Sequence, residues 1–187
     1  VSQKVDSVSS TITQVQGDVD LVQSTGQELV LNGGFETGTT SKWAMTNNSY
    51  SIGTDSPHSG KYYLRTTGNN LDQINSDGSF YMIPAIVGHT YRMSCWFRRK
   101  QIGSTAPIGG LRLQKSSDGV HLLDLKTSDF GSGIVDDFVY KEIEGTVNSS
   151  DIKFIHARIA FINPGTWDVD DISLKDVTDL NSVESTA

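Results

Sequence analysis

Cysteine is almost missing from this sequence: Cys95 stands alone, so no internal disulfide can form, and its apolar strand setting suits an inert core thiol. Basic residues are also scarce. Fifteen Lys and Arg face 22 Asp and Glu, a net charge of −7, which excludes the basic footprint that nucleic-acid or anionic-membrane binding requires. No apolar run approaches the roughly 20 residues that would cross a bilayer, and no signal peptide is present, so no membrane insertion is expected. Only four prolines occur among 187 residues, against 18 glycines. The four histidines are scattered without zinc-ligand spacing, and there is no nucleophile elbow, phosphate loop or Cys–His motif. Paired acids for glycosidic chemistry could come only from Asp136, Asp137, Glu142 and Glu144 in "GIVDDFVYKEIEG", a turn-rich segment better suited to solvated charge. A protein that binds without catalysis is the expectation, not an enzyme.

What is present first is a seam. Val1, Val5, Val8, Ile12, Val15, Val19 and Val22 alternate at spacings of four and three, with Ser, Thr, Gln, Asp and Lys between them. Poor in Ala and Leu, and carrying Gly17, such a helix needs partners to cover its apolar side. Residues of this shape at both seam positions favour three strands over two. Residues 1–25 are therefore expected to form the stalk of a homotrimer, with docking onto the chain's own domain as the alternative. The chain opens inside this pattern without an initiator Met, and is expected to be a piece of something longer. Val177, Leu180 and Val183 suggest that 177–187 is a linker or the start of a second stalk helix.

From Gly26 the pattern changes to short alternating segments separated by turn chemistry such as "TDSPHSG", "NSDG", "SSDG" and "NPG". Tyr91, Met93, Cys95 and Phe97 share one face of a strand, and Leu111–Gln114 and Ile155–Phe161 repeat the arrangement. The fold class is mainly β: an antiparallel β-sandwich (jelly roll) over residues 26–176, behind an N-terminal trimeric coiled-coil helix.

Four motifs in order, "LVLNGGFETGTTSKW" (29–43), "HSGKYYLR" (58–65), "GHTYRMSCWFR" (88–98) and "GTWDVDDISL" (165–174), make the middle domain similar to the carbohydrate-binding modules of the galactose-binding-like jelly-roll superfamily. The resemblance implies a structural calcium held by Glu36, by backbone carbonyls from Ser59 to Lys61, and by Asp170 with Asp171 as alternate. Calcium takes hard oxygen ligands, which suits that set. Strand alternation places Asp170 on the face of Ile172 and Leu174, where an unpaired carboxylate would carry a desolvation cost. The alternative is that Asp168, Asp170 and Asp171 are turn and edge charges that deter unwanted strand pairing.

If Tyr91 to Phe97 alternate inward, Trp96 and Arg98 point outward, as do Arg112, Gln114, His156 and Arg158. Only six arginines occur in the chain, and four of them, Arg92 included, fall on such positions. Together with Tyr50 from a loop they are expected to form a saccharide groove, in which a ring stacks on the sugar's apolar face and guanidinium or amide groups meet its hydroxyls. Several arginines would also suit a charged glycan. Trp43 and His121 are further loop candidates, Trp43 with a place in the core as the alternative. Cross-strand pairing with acids is the alternative account of the arginines.

A stalk carrying small sandwiches resembles the fibres and tail-tip host-specificity proteins of tailed bacteriophages. The expected function is attachment of the virion, outside the cell, to a bacterial cell-surface polysaccharide. A purely structural spacer of the fibre, or an accessory module of a polysaccharide hydrolase, are the alternatives.

Overall fold

The computed structural model describes residues 26–45, 50–67, 69–102, 108–131, 133–162 and 165–178. The heptad seam, and Leu180 and Val183 beyond the domain, lie outside these described residues. Eleven strands form the described domain: β1 (Trp43–Met45), β2 (Tyr50–Gly53), β3 (Tyr63–Thr66), β4 (Asn69–Gln73), β5 (Ile83–Pro84), β6 (Thr90–Ile102), β7 (Ile108–Ser116), β8 (Leu123–Asp129), β9 (Val135–Thr146), β10 (Phe154–Ile162) and β11 (Gly165–Asp176). They build two antiparallel sheets. A six-stranded sheet runs β1-β4-β10-β7-β8, with β5 also on β10, and a five-stranded sheet runs β2-β3-β11-β6-β9.

Period-two alternation explains the core between them. Ile155, Ala157, Ile159 and Phe161 of β10 and Leu111 and Leu113 of β7 face Tyr91, Met93, Cys95 and Phe97 of β6 and Trp167, Val169, Ile172 and Leu174 of β11, and all of them are buried. Phe130 stacks on Phe97 at 4.1 Å between ring centroids and lies 5.7 Å from Trp167. Burial pushes the Cys95 thiol well above its ordinary range, so it is an inert core group. Trp43 packs in the core, its indole N–H donating to the carbonyls of Leu31 and Asn32 at 2.9 and 3.0 Å.

A bulge in β11 breaks simple alternation. In β11 the pairing with β6 shifts between Asp170 and Ser173, and Asp171 adopts a φ of 47°. Trp167 and Val169 before the bulge, and Ile172 and Leu174 after it, therefore all face inward. The expectation that Asp170 shares the face of Ile172 and Leu174 is corrected: Asp170 sits with Asp168 on the outer side. The N-terminal motif pins this bulge, because Ile172 N–H donates to the Gly33 carbonyl at 2.9 Å. A Cβ on Gly33 would lie 1.9 Å from the Ile172 carbonyl oxygen, so only glycine permits the approach. Alternation along β6 runs on past Phe97 and carries Arg99 into the core. Its guanidinium lies 4.3 Å above the Trp167 ring, with one bond to the Gly131 carbonyl.

The acids of "GIVDDFVYKEIEG" are in β9, a strand and not a turn, with Asp136 and Asp137 where its pairing to β6 shifts. Glu144 pairs with Arg92 at 2.6 Å and Glu142 accepts from the Tyr140 hydroxyl at 2.7 Å. The chain enters and leaves the sandwich side by side, Gly26 N–H donating to the Asp176 carbonyl at 2.8 Å. Val177 is buried and bonded to the Thr90 carbonyl, so the domain takes in this residue, which the sequence assigned to the following segment.

Candidate functional site

Outward-pointing residues divide between two opposite surfaces, because β6 belongs to the five-stranded sheet and β7 to the six-stranded one. Trp96 and Arg98 are on β6, and Tyr50 is on β2 in the same sheet. Arg112, Gln114, His156 and Arg158 are on the other sheet. The single groove expected from alternation is thus two separate faces.

On the outer face of the five-stranded sheet the chain's own loop at 54–61 covers Trp96 and Arg98, while a depression of about 230 Å³ stays open beside them, lined by Arg92, Ser94, Tyr140 and Lys175. His58 stacks on Trp96, with ring centroids 3.7 Å apart and planes 17° from parallel. Arg98 is 4 % exposed. It donates to Asp168 Oδ2 at 2.7 Å and to the carbonyls of Ser56 and Asp55 at 2.9 and 3.1 Å. Arg65 takes the other oxygen of Asp168 at 2.7 Å, so this fully buried carboxylate holds two guanidinium groups. Tyr63, whose hydroxyl donates to Asp55, is buried under the same loop, and burial first, then that bond, push its phenol up to about 12. These side chains are committed to holding the loop down.

The outer face of the six-stranded sheet is open. Asn70 of β4, Arg158 and Ala160 of β10, Arg112 and Gln114 of β7 and Asp124 of β8 line a depression of about 340 Å³. Each guanidinium is matched: Arg112 Nη1 donates to Asp124 Oδ2 at 2.8 Å, and Arg158 Nε to Asp72 Oδ1 at 2.6 Å. Buried His156 lies beneath, its two ring nitrogens 2.9 Å from the Tyr81 carbonyl and from Asp72. Gln114 is 5 % exposed and donates its amide to Asp124 Oδ1 at 3.1 Å. Because the carboxylate can only accept, this bond fixes the amide orientation, and Oε1 is left as a buried acceptor without a partner. A water satisfies such an acceptor, and so does a sugar hydroxyl. The sequence reasoning missed Asp72 and Asp124. The alternation rule that found the arginines also puts Asp72 outward beside inward Leu71, and could have found it.

A third cluster lies at one corner of the loop-covered face. Glu36 accepts from the amides of Lys61 at 3.0 Å and Tyr62 at 3.2 Å, and a Cβ on Gly60 (φ +58°) would lie 2.3 Å from the Glu36 carboxylate. Asp170 Oδ2 accepts from His58 N–H at 2.9 Å and Ser59 N–H at 3.3 Å, while Asp171 meets the His58 ring at 2.6 Å and the Ser59 hydroxyl at 2.9 Å. Asp170 is fully buried, and among the described residues no Lys or Arg lies against it. Burial first, and the Asp171 charge second, push its carboxyl up to about 6. A buried carboxylate with only the like-charged Asp171 beside it fits a hard cation in kind. Ser59 and Lys61, expected to lend carbonyls, turn their N–H groups to the acids. Among the described residues no three His, Cys, Asp or Glu side chains gather as a metal centre.

The domain is thus an antiparallel two-sheet sandwich with a loop over part of one outer face and an open, arginine-lined depression on the other. The chain belongs to the carbohydrate binding domain family CBM_4_9, whose match covers residues 27–120, just over half of its length. No curated protein sequence matches the chain. Among solved structures it is similar to the CBM22-1 xylan-binding domain of Paenibacillus barcinonensis Xyn10C, with 13% identity, a TM-score of 0.52, and 78% of this chain and 92% of that one covered. TmCBM61 in complex with β-1,4-galactotriose gives 16% identity and a TM-score of 0.55, over 81% of this chain and 99% of that one. The enzymatically active domain of tailspike protein 4 of bacteriophage CBA120 gives 11% identity and a TM-score of 0.59, over 80% of this chain. The chain spans 21% of that domain's length. At these identities the likeness is one of fold.

Proposed function

We propose that this domain is a non-catalytic glycan-binding head that holds an uncharged stretch of a bacterial surface polysaccharide on the open face, through Arg112, Gln114 and Arg158. The observation that carries this reading is the unpartnered, buried Gln114 Oε1 in that depression. Arg112 and Arg158 are each neutralised by a carboxylate, which leaves their remaining N–H groups to meet hydroxyls and disfavours an anionic sugar. Membership of a carbohydrate binding domain family supports the ligand class.

We further propose that three copies ride on the valine-rich stalk of a phage tail fibre or tail-tip protein, exposed on the virion outside the host cell. Trivalency would turn weak single contacts into firm attachment without any new contact. The similarity in fold to part of a phage tailspike domain supports this setting. The neighbours named as modules of Xyn10C favour a second reading, an accessory module of a polysaccharide hydrolase. A calcium ion at Glu36, Asp170 and Asp171 is proposed as a structural staple; metal analysis and melting with and without chelator test it, an unchanged Tm counting against it.

A glycan array decides the central claim. The wild-type chain is expected to bind neutral polysaccharides saturably, and Gln114→Ala or Arg112→Ala to lose at least tenfold in affinity while still folded, since an unmatched buried polar group costs about 1–3 kcal/mol. Silence across all surfaces would leave a spacer domain. Sedimentation of the full chain as a monomer would remove the trimeric fibre.

A further inference from the structure

We infer that the open face carries a second saccharide subsite, a slot between the exposed side chains of Phe80 and Val120, and that the domain therefore recognises the interior of a long neutral chain over a short or terminal fragment. The inference rests on the glycan reading of the open face given above.

Two turns build the slot. Phe80 ends the turn between β4 and β5, and Val120 lies in the turn between β7 and β8; with Asn75 and Ser79 they border a gap of about 470 Å³. Phe80 is 38 % exposed and Val120 67 %, an apolar surface left in water beside the likewise exposed Leu123 at the rim of the depression. Neither turn is loose. Asn75 Nδ2 donates to Ser79 Oγ at 3.0 Å and to the Phe80 carbonyl at 3.1 Å, while Asp77 Oδ1 accepts from Ser79 N–H at 2.9 Å. Across the gap Asp118 Oδ1 accepts from the amides of Val120 and His121 at 2.9 and 2.8 Å, and Gly119 N–H donates to Ser116 Oγ at 2.9 Å. The two apolar side chains are thus presented by turns whose own hydrogen bonds are satisfied, so little ordering remains to be done when a ring enters.

The slot is continuous with the Gln114 depression. The Phe80 ring lies 5.2 Å from the His156 ring and 5.6 Å from the Arg158 guanidinium, the same arginine that walls the depression. Gly119 approaches Phe154, at the start of β10, whereas the depression reaches Ala160 on the same strand. Those six steps along β10 span roughly 20 Å at about 3.3 Å per residue. One polar station that meets hydroxyls and one apolar station that meets ring faces, adjoining at Arg158 and together covering that length, suit several consecutive sugar units.

Titration of the full chain with β-1,4-linked xylo-oligosaccharides, and separately galacto-oligosaccharides, of two to six units tests this. Affinity for at least one series is expected to rise about tenfold or more between three and six units. In Phe80→Ala and Val120→Ser that rise is expected to shrink to threefold or less, both chains keeping the wild-type Tm within a few degrees. Val120 is the cleaner position, since its side chain supports nothing else. Equal wild-type affinity for three and six units, or an undiminished rise in both variants, would overturn the slot while leaving the depression standing. No binding of either series to the wild-type chain would overturn the slot together with the neutral-glycan reading beneath it.

Discussion

The two outer faces of this sandwich are made of the same kinds of residue and do opposite things. On the five-stranded sheet, Arg98 is 4 % exposed and its donors meet Asp168 and two loop carbonyls. On the six-stranded sheet, Arg112 is paired only at its edge with Asp124, its side chain 30 % exposed, and it borders open space. The difference lies in what covers them. Loop 54–61 folds over Trp96 and Arg98, whereas the turns around the other sheet stand at its margins. An arginine on an outward strand position can therefore be a rivet or a hand, and its own strand does not say which.

The largest effect should come from breaking the rivet. Asp168→Ala leaves buried Arg98 and half-buried Arg65 without their shared carboxylate, and removing one member of a buried ion pair costs about 3–5 kcal/mol. Urea denaturation should show that loss. A change below about 1 kcal/mol would mean that the loop is held by other contacts.

Trp96→Ala sharpens the same contrast at smaller scale. Trp96 is half-buried and stacked on His58, so its loss should cost about 1–2 kcal/mol, below the range for a fully buried tryptophan. Glycan affinity should stay within twofold of wild type. A folded variant that lost binding altogether would move the ligand to this face.

The sandwich itself was open to reading, since period-two patterns in Tyr91–Phe97, Leu111–Gln114 and Ile155–Phe161 set the inward faces that the structure has. Three things were not. Assignment of β6 and β7 to different sheets depends on long-range pairing, to which local alternation is blind. The bulge at Asp171 inserts residues that reset the alternation, and so placed Asp170 opposite to where counting put it. Nor does alternation show that loop 54–61 folds over Trp96 and Arg98. Four of the seven residues expected in the groove, Arg112, Gln114, His156 and Arg158, do lie side by side, because β7 and β10 pair directly. Of its carboxylates, Asp124 comes from a strand with little apolar pattern to announce it, whereas alternation beside Leu71 marks Asp72 as outward.

The smallest expected effect concerns the margin of the open face. Asp118 and His121 are paired at 2.6 Å in the turn that carries Val120. Hydrogen bonds, first from the His121 ring and then from the turn amides, hold the Asp118 carboxyl well below its ordinary range, and Asp118 holds His121 above 6.5. A depressed carboxyl stabilises the turn above its unfolded value of about 3.9 and loses that contribution as pH falls through the folded value. A raised imidazole contributes fully below about 6.5 and loses its contribution as pH rises through the folded value. The pair is therefore strongest between about pH 4 and 6.5. Both groups are exposed to solvent, so salt screening keeps the consequence small. NMR titration should place the His121 midpoint above 6.5, and Asp118→Asn should return it toward that value. Affinity for six-unit oligosaccharides should fall by less than threefold from pH 6 to pH 8, and three-unit affinity should not change. A turn on the loop-covered face has no such freedom, and an equal pH response in a Phe80→Ala chain would show that the titrating pair acts elsewhere than on the slot.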